Sequence, residues 1–410
     1  MPVKLDEVPA PLSPPAAPRA WLWLLLLVVL LLVGLMLTLL LAGADFALQP
    51  DRFWLNVLGA PFLIWCALGL LRAMLYAGES GVAESWNDAR EEDLAQKLRR
   101  GRRSQQVLAV SLHTALRERS IDSGEAQLQA LLHGQKALTV QPEWQASENG
   151  ARHSRLVYEQ GESPEVLLRR VLRQVVGDIA RVLEMLPDDQ PLALLLEMSS
   201  GIQKNTLSEL WHDVWSESGI RQTATPVEGS GLSVVDDWLD QRIHDQALLL
   251  VVAFQLAPDQ TGGTAEAVVG LLFGNRLTQT VLEPLAYLHR PEQEREPDAE
   301  GLLKATRQAL EWGPVEVSLI QHVWIAVADS ARTAAVSGAL DGVQMLADHR
   351  QGLHDLSMFL GDLNCAAAWV AIAASVESIR AEATAQFIFC RESTADARLW
   401  CSVVVPPLAV

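Results

Sequence analysis

Hydrophobic positions follow three different patterns along the chain. The first is an unbroken run, Ala20–Ala42, of 23 residues without a charge, mostly Leu and Val, with Trp21 and Trp23 at one end. At 1.5 Å per residue it crosses a hydrocarbon core of about 30 Å with modest tilt. It is longer than the apolar part of a cleaved signal peptide, and a second run follows soon after. That second run, Phe53–Leu71, is interrupted only by Asn56 and Pro61, and it extends past Arg72 to Tyr76 if the arginine snorkels. Ten residues join the two, with Gly43, Pro50 and Asp51 supplying turn chemistry. The pattern predicts a transmembrane helical hairpin over 20–77, after a Pro-rich disordered tail (1–19) and before a charged juxtamembrane linker (78–104). Lys4 and Arg19 lie on one side, and Arg72, Arg90, Lys97 and the cluster Arg99, Arg100, Arg102, Arg103 on the other. The joining loop holds Arg52 alone. Both termini and the soluble region are therefore expected in the cytoplasm. The basic cluster invites contact with anionic lipid, although Glu84, Asp88, Glu91, Glu92 and Asp93 partly neutralise it.

From Val107 the second and third patterns alternate: apolar residues at helical spacing, and short continuous apolar runs of buried-strand length. Val107–Leu112 reads as a strand, and Val166–Leu186 as a helix opened by Pro164. Leu192–Met198 is a strand, Thr206–Ser216 a helix with Asn205 as N-cap, and Ser233 caps a helix running to about His244. Ala247–Leu256 and Ala265–Phe273 form a strand hairpin. Arg290–Glu300, dense in charge and containing Pro291 and Pro297, reads as a linker between a first half (105–289) and a second half (301–410). The second half offers helices at 301–312, 331–347 and 362–380, and strands at 323–328, 383–390 and 397–405. Each half closes with a helix and two adjacent strands, which suggests a structural duplication. The expected class is α/β, with sheets covered on both faces.

Charge changes the picture of partners. The 410 residues carry a formal −18, yet residues 1–104 hold ten basic and ten acidic groups, so the soluble part carries all of it. Such a surface repels phosphate backbones, which argues against nucleic acid and for a protein partner. Cys66, Cys365, Cys390 and Cys401 include no C-x-x-C pair, so neither a disulfide framework nor a zinc site is read from them.

Candidate chemistry is sparse. Gly78-Glu-Ser80-Gly81 lacks the spacing of a nucleophile elbow and reads as a linker. Gly229-Ser230-Gly231 precedes a helix, where backbone N–H groups suit an anion or an oxyanion; a plain turn is the competing reading. His349 and His354 are misaligned on a helix, His113, His133 and His153 lie in the segment of least clear structure, and His212, His244 and His289 adjoin charged or turn residues and are expected at the surface. No metal site follows, and no phosphate-binding glycine loop is present, so no cofactor is expected. Asp188-Asp189 and Asp236-Asp237 read as turn and helix-start residues. Trp211, Trp215 and Trp238 are spaced for core or interface positions and are the candidate partner-binding residues.

Two family resemblances attach to these residues. The order of elements, with Ala247–Ala257 and Ala265–Gly274 as a closing strand pair and Gly361–Ser375 as a Gly/Ala-rich helix, resembles the duplicated halves of thiolase-like folds, the family of ketoacyl synthases. This implies a duplicated thiolase-like α/β/α soluble region behind the transmembrane hairpin. It also implies a cysteine nucleophile at the start of the first half's central helix, where this chain has Gly229–Val235, and a basic residue where it has Asp362. On that comparison the catalytic groups are missing. Separately, an anchored domain with the Asp236–Asp240 and Thr264–Asn275 blocks is similar to type VI secretion accessory proteins of the lipase-adaptor kind. That likeness implies a bacterial inner-membrane protein holding a secretion effector or its spike. The resulting expectation is a membrane-anchored, non-catalytic adaptor and not an enzyme. The alternatives are a membrane-bound acyl-handling enzyme using Ser230 or Ser233, and a structural protein that oligomerises through its spans, which lack a GxxxG motif.

Overall fold

The computed structural model describes every residue except 1, 2, 4, 6, 42–49, 119–122, 145–149, 346–351, 392–397 and 408–410. Lys4, most of the loop expected to join the apolar runs, and His349 therefore lie outside the described residues. The chain divides into two compact units, residues 4–98 and residues 99–410.

The first unit holds α1 (Ala20–Leu41), α2 (Pro50–Trp54), a π-helical stretch (Leu55–Gly59) and most of α3 (Ala60–Gly101). Two of its helical segments are long and apolar enough to cross a membrane. Their leucines are exposed, Leu24, Leu40 and Leu63 among them, an apolar surface that water does not favour. The two runs touch: Trp65 Nε1 donates to the Trp23 carbonyl at 2.8 Å, and a Cβ on Gly34 would lie 2.5 Å from the Pro61 ring. Pro61 has no N–H to continue the helical ladder, which accounts for the π-helical turn just before it. The stretch expected as a linker beyond residue 77 is instead helical up to Gly101, and it includes Ser80.

The second unit runs β1 (Ser104–Thr114), α4 (Ser123–Leu132), β2 (Thr139–Gln141), β3 (Ala151–His153), α5 (Pro164–Leu183), β4 (Leu192–Ser200), α6 (Lys204–Glu217), β5 (Ala224–Pro226), α7 (Gly231–Gln241), β6 (Leu248–Leu256) and β7 (Ala267–Asn275). It continues with β8 (Ala286–His289), β9 (Glu292–Gln293), α8 (Ala299–Trp312), β10 (Ile320–Ala326), α9 (Ser330–Gly342), β11 (Leu353–Asp355), α10 (Leu356–Phe359), α11 (Ala367–Glu382), β12 (Ala385–Arg391) and β13 (Leu399–Val405). The strands follow the order β11-β10-β12-β13-β8-β1-β7-β6-β4-β5, so β8 joins a first-half sheet to a second-half sheet. β6 and β7 pair antiparallel as the expected hairpin, while β4 lies parallel to β6. Both hairpin strands are buried along their whole length, which is why they read as continuous apolar runs rather than alternating ones.

Three apolar cores define the layering. The outer core of the first half packs α5 and α6 on one face of its sheet, and the outer core of the second half packs α8 and α9 on its own. Between the sheets lies a shared core built around α7 and α11. The result is five layers, helix–sheet–helix–sheet–helix. α5 starts where Pro164 indicated, with the Ser163 hydroxyl accepting from Val166 N. Two helix starts differ from expectation. α6 begins at Lys204 with Gln203 before it, and α7 begins at Gly231 with Ser230 as N-cap, so Ser233 and Asn205 both lie inside their helices. That shift moves Asp236 from a first turn to the buried side of α7.

The segment read as a charged linker shows why its charges are there. Arg290 is fully buried and ion-paired with Asp236 at 2.9 Å and with Asp240, while buried Glu294 pairs with Arg332. Arg100, in the last turn of α3, adds a two-pronged contact to Asp240 at 2.6 and 2.5 Å. Burial pushes the Asp236 carboxyl up. At Asp240 burial pushes the same way, but hydrogen bonds from Arg100 and Arg290 outweigh it and hold the carboxyl below its usual range.

Candidate active site at the starts of the two central helices

β4 changes character along its length. Its inward residues are apolar at Ala193 and Leu195, then polar at Glu197 and Ser199, beside Ala253 and Gln255 of β6. These polar positions lie at the carboxyl ends of two parallel strands, where open α/β sheets place their ligand sites. Each ties down one central helix. Glu197, almost fully buried, accepts a hydrogen bond from Gly231 N at 2.6 Å at the start of α7. Ser199 Oγ accepts from Asn364 Nδ2 at 3.1 Å in the 3-10 turn Asn364–Ala366 that opens α11.

Cys365 sits in that turn, partly exposed. Its Sγ donates to the Phe254 carbonyl of β6 at 3.5 Å. Burial pushes the thiol up to about 12, and the Glu197 charge adds to it, so the resting sulfur is a neutral donor. The backbone around it is tightly set. Asn364 is left-handed (φ 48°), and its N–H donates to Asp362 Oδ1 at 2.9 Å. Gly361 has φ 114°, and a Cβ there would stand 2.7 Å from the Gly263 carbonyl, so only glycine fits. Asp362 bridges to Thr264, and its carbonyl accepts from Ala265 N at 2.8 Å and Gln255 Nε2 at 2.7 Å. Among the described residues no histidine hydrogen-bonds Cys365.

The serines suggested by the sequence flank the same place. Ser230 is exposed and makes no side-chain cap bond, and Ser233 Oγ donates to the Ser230 carbonyl at 2.6 Å. Gly229 (φ 127°) leaves no room for a Cβ, which would stand 2.6 Å from Val234 Cγ2. Trp211 and Trp215 are half-buried on the outer core with ring centroids 5.5 Å apart. Trp238 is buried in the shared core, and its indole N–H donates to Asn275 Oδ1 at 2.8 Å. The three tryptophans thus do not share one surface. His289, expected at the surface, is buried, and burial pushes its imidazole down to about 4. His354 meets His322 across β10 and β11 at 2.9 Å. Among the described residues no group of three potential metal ligands occurs.

No family model and no curated protein matches the sequence. Solved structures do. The ishigamide ketosynthase/chain length factor superposes with a TM-score of 0.53 at 12% identity, over 74% of this chain and 99% of that one. The fold is thiolase-like. Human mitochondrial 3-ketoacyl-CoA thiolase with CoA (TM-score 0.47, 7% identity, 75% and 99% covered) and 3-oxoacyl-acyl-carrier-protein synthase III from Aquifex aeolicus (0.44, 8%, 74% and 100%) are also similar.

These findings correct two expectations. The thiolase-like fold of the second unit, shared with the ishigamide ketosynthase/chain length factor, stands against both the non-catalytic adaptor and the expectation that the chain is not an enzyme. Nothing found supports the resemblance to type VI secretion proteins. The physical reason is specific. The sequence resemblance looks for the nucleophile at the start of α7, where no cysteine stands, whereas β4 brings the start of α11, with its cysteine, to the same pair of strand ends. A signal was present in the sequence: an apolar strand ending in Glu197-Met-Ser199, and a cysteine two residues before an Ala-rich helix that is apolar over its first eight residues.

Proposed function

We propose that this is a membrane-anchored acyl-handling enzyme in which Cys365 accepts an acyl group from a thioester. The observation that carries it is the placement of a partly exposed thiol at the start of buried α11, at the carboxyl ends of β4 and β6. In the step proposed, the Cys365 sulfur attacks the thioester carbonyl carbon and a new S–C bond forms. The donor's C–S bond breaks, and the proton leaving Cys365 ends on the departing thiol. Incubating the full-length protein with an acyl thioester should add one acyl mass to it. The adduct should persist in Ser230→Ala and Ser233→Ala and vanish in Cys365→Ala. A protein that takes up no acyl mass, or one that still does so as Cys365→Ala, overturns the reading.

The membrane reading rests on two apolar helical segments and on the basic residues that flank them. The proposed arrangement is a hairpin with both termini and the soluble unit on the cytoplasmic side. Reporter fusions at the amino terminus, the loop and the carboxyl terminus test it, and a loop reporter on the same side as the termini refutes the hairpin. The assignment to a bacterial inner membrane rested on the secretion resemblance and falls with it.

A further inference from the structure

The outer face of the first-half sheet holds a groove that the acyl site does not use. It is a cavity of about 650 Å³ between the end of β1 and the flank of α5. Four guanidinium groups line it, and three already have carboxylate partners: Arg170 with Glu162, Arg173 with Glu217, and Arg181 with Asp178. Arg117 differs. Its Nη1 donates to the Leu112 carbonyl at 2.5 Å, and among the described residues no carboxylate stands within ion-pair distance of it, although the Asp178 and Glu377 charges act on it from farther away and Glu118 and Glu159 also line the groove. Beside it, His113 is 5% exposed, and its Nε2 finds no hydrogen-bond partner among the described residues. Burial pushes that imidazole down to about 3, with Arg117 and Arg170 acting in the same direction, so the ring is neutral.

Gly177, in the interior of α5, also lines the groove. A glycine inside a helix is unfavourable relative to alanine, and here nothing requires it sterically, since a Cβ would meet no atom within 4 Å. Its effect is to keep the groove open. Leu156, Val157 and Val171 give the same groove an apolar wall. An unpaired, half-buried guanidinium, an unsatisfied buried ring nitrogen and an apolar wall together define a ligand chemistry.

We infer that this groove binds a small organic anion, whose charged oxygens pair with Arg117 and contact His113 while its apolar stem lies along Leu156, Val157 and Val171. The site is on the opposite face of the sheet from Cys365 and does not depend on the acyl reading. Calorimetric titration of the full-length protein in lipid nanodiscs with butyrate, and separately with inorganic phosphate, tests it. Butyrate should bind at about 10 mM or below. Arg117→Gln should weaken it by about tenfold or more, and Gly177→Leu, which fills the groove, should abolish it while leaving the melting transition in place. Cys365→Ala should leave it unchanged. Phosphate binding without butyrate binding overturns the organic stem. Butyrate binding that survives both groove substitutions, or no binding of either anion, overturns the site.

Discussion

The two central helices share one layer but are built in opposite ways. α7 opens on Gly229-Ser230-Gly231 with Glu197 already seated on its first amide, and its other end is held by buried charge, Asp236 and Asp240 against Arg290 and Arg100. α11 follows the turn that holds Cys365, and 12 of its 16 residues are buried, nearly all of them apolar or small, so packing is its main hold beside the Asn364–Ser199 hydrogen bond. At the start of this helix the Glu197 carboxylate of β4 is the charge that acts on the Cys365 thiol. The helix fixed by charge carries no nucleophilic cysteine at its start. Position in the fold therefore makes the two starts equivalent, and chemistry separates them.

Acid should strain both halves at once, and this is the largest effect expected. Burial is the main force pushing His113 in the first half down to about 3, and His289 in β8 and His354 in the second half down to about 4. Neutral buried histidine is stable, and the unfolded chain takes up the proton first. The stabilisation is thus complete above pH 6.5 and is lost as pH falls toward 4, on the order of 2–3 kcal/mol per group by pH 4.5. Urea unfolding between pH 7 and 4.5 measures it, and a flat profile would show that these rings stay solvated.

Next comes the charge clamp on α7. Arg290→Met should cost about 3–5 kcal/mol because it takes the buried cation away from two buried carboxylates. Adding Asp236→Leu and Asp240→Leu should recover most of that loss, since an apolar trio replaces the ionic one. If the single substitution is as stable as the parent in denaturant, α7 is held by packing like α11 and the contrast between them fails.

The smallest effect concerns reactivity. In a Cys66→Ser background, Cys365 should alkylate slowly at pH 8, while buried Cys390 and Cys401 stay unlabelled until the protein unfolds. Glu197→Gln removes the carboxylate charge but keeps an acceptor for Gly231 N, so labelling should speed up by about threefold to tenfold. An unchanged rate would mean that burial alone protects the thiol.

Much of the scaffold was legible in the sequence because local patterns encode it. Pro164 after Ser163 marks the start of α5, and the apolar runs at 247–256 and 265–273 mark the hairpin β6–β7. Legibility stops where a residue's role depends on a distant partner. Arg290 looks like linker charge because its carboxylates lie about fifty residues earlier, on the buried side of a helix that starts a few positions before its sequence suggests. Trp238 looks like an interface anchor because nothing local shows that Asn275 will take its N–H.

The sequence by itself determined two membrane-length apolar helices, an acidic α/β region and the place of most strands, since hydropathy and its period act over a few residues. Only the tertiary structure decided which helix start carries the chemistry. Ser199 and Asn364 are 165 residues apart in the chain and one hydrogen bond apart in space. That closure follows from packing α7 and α11 between two sheets, a long-range arrangement that no local period encodes.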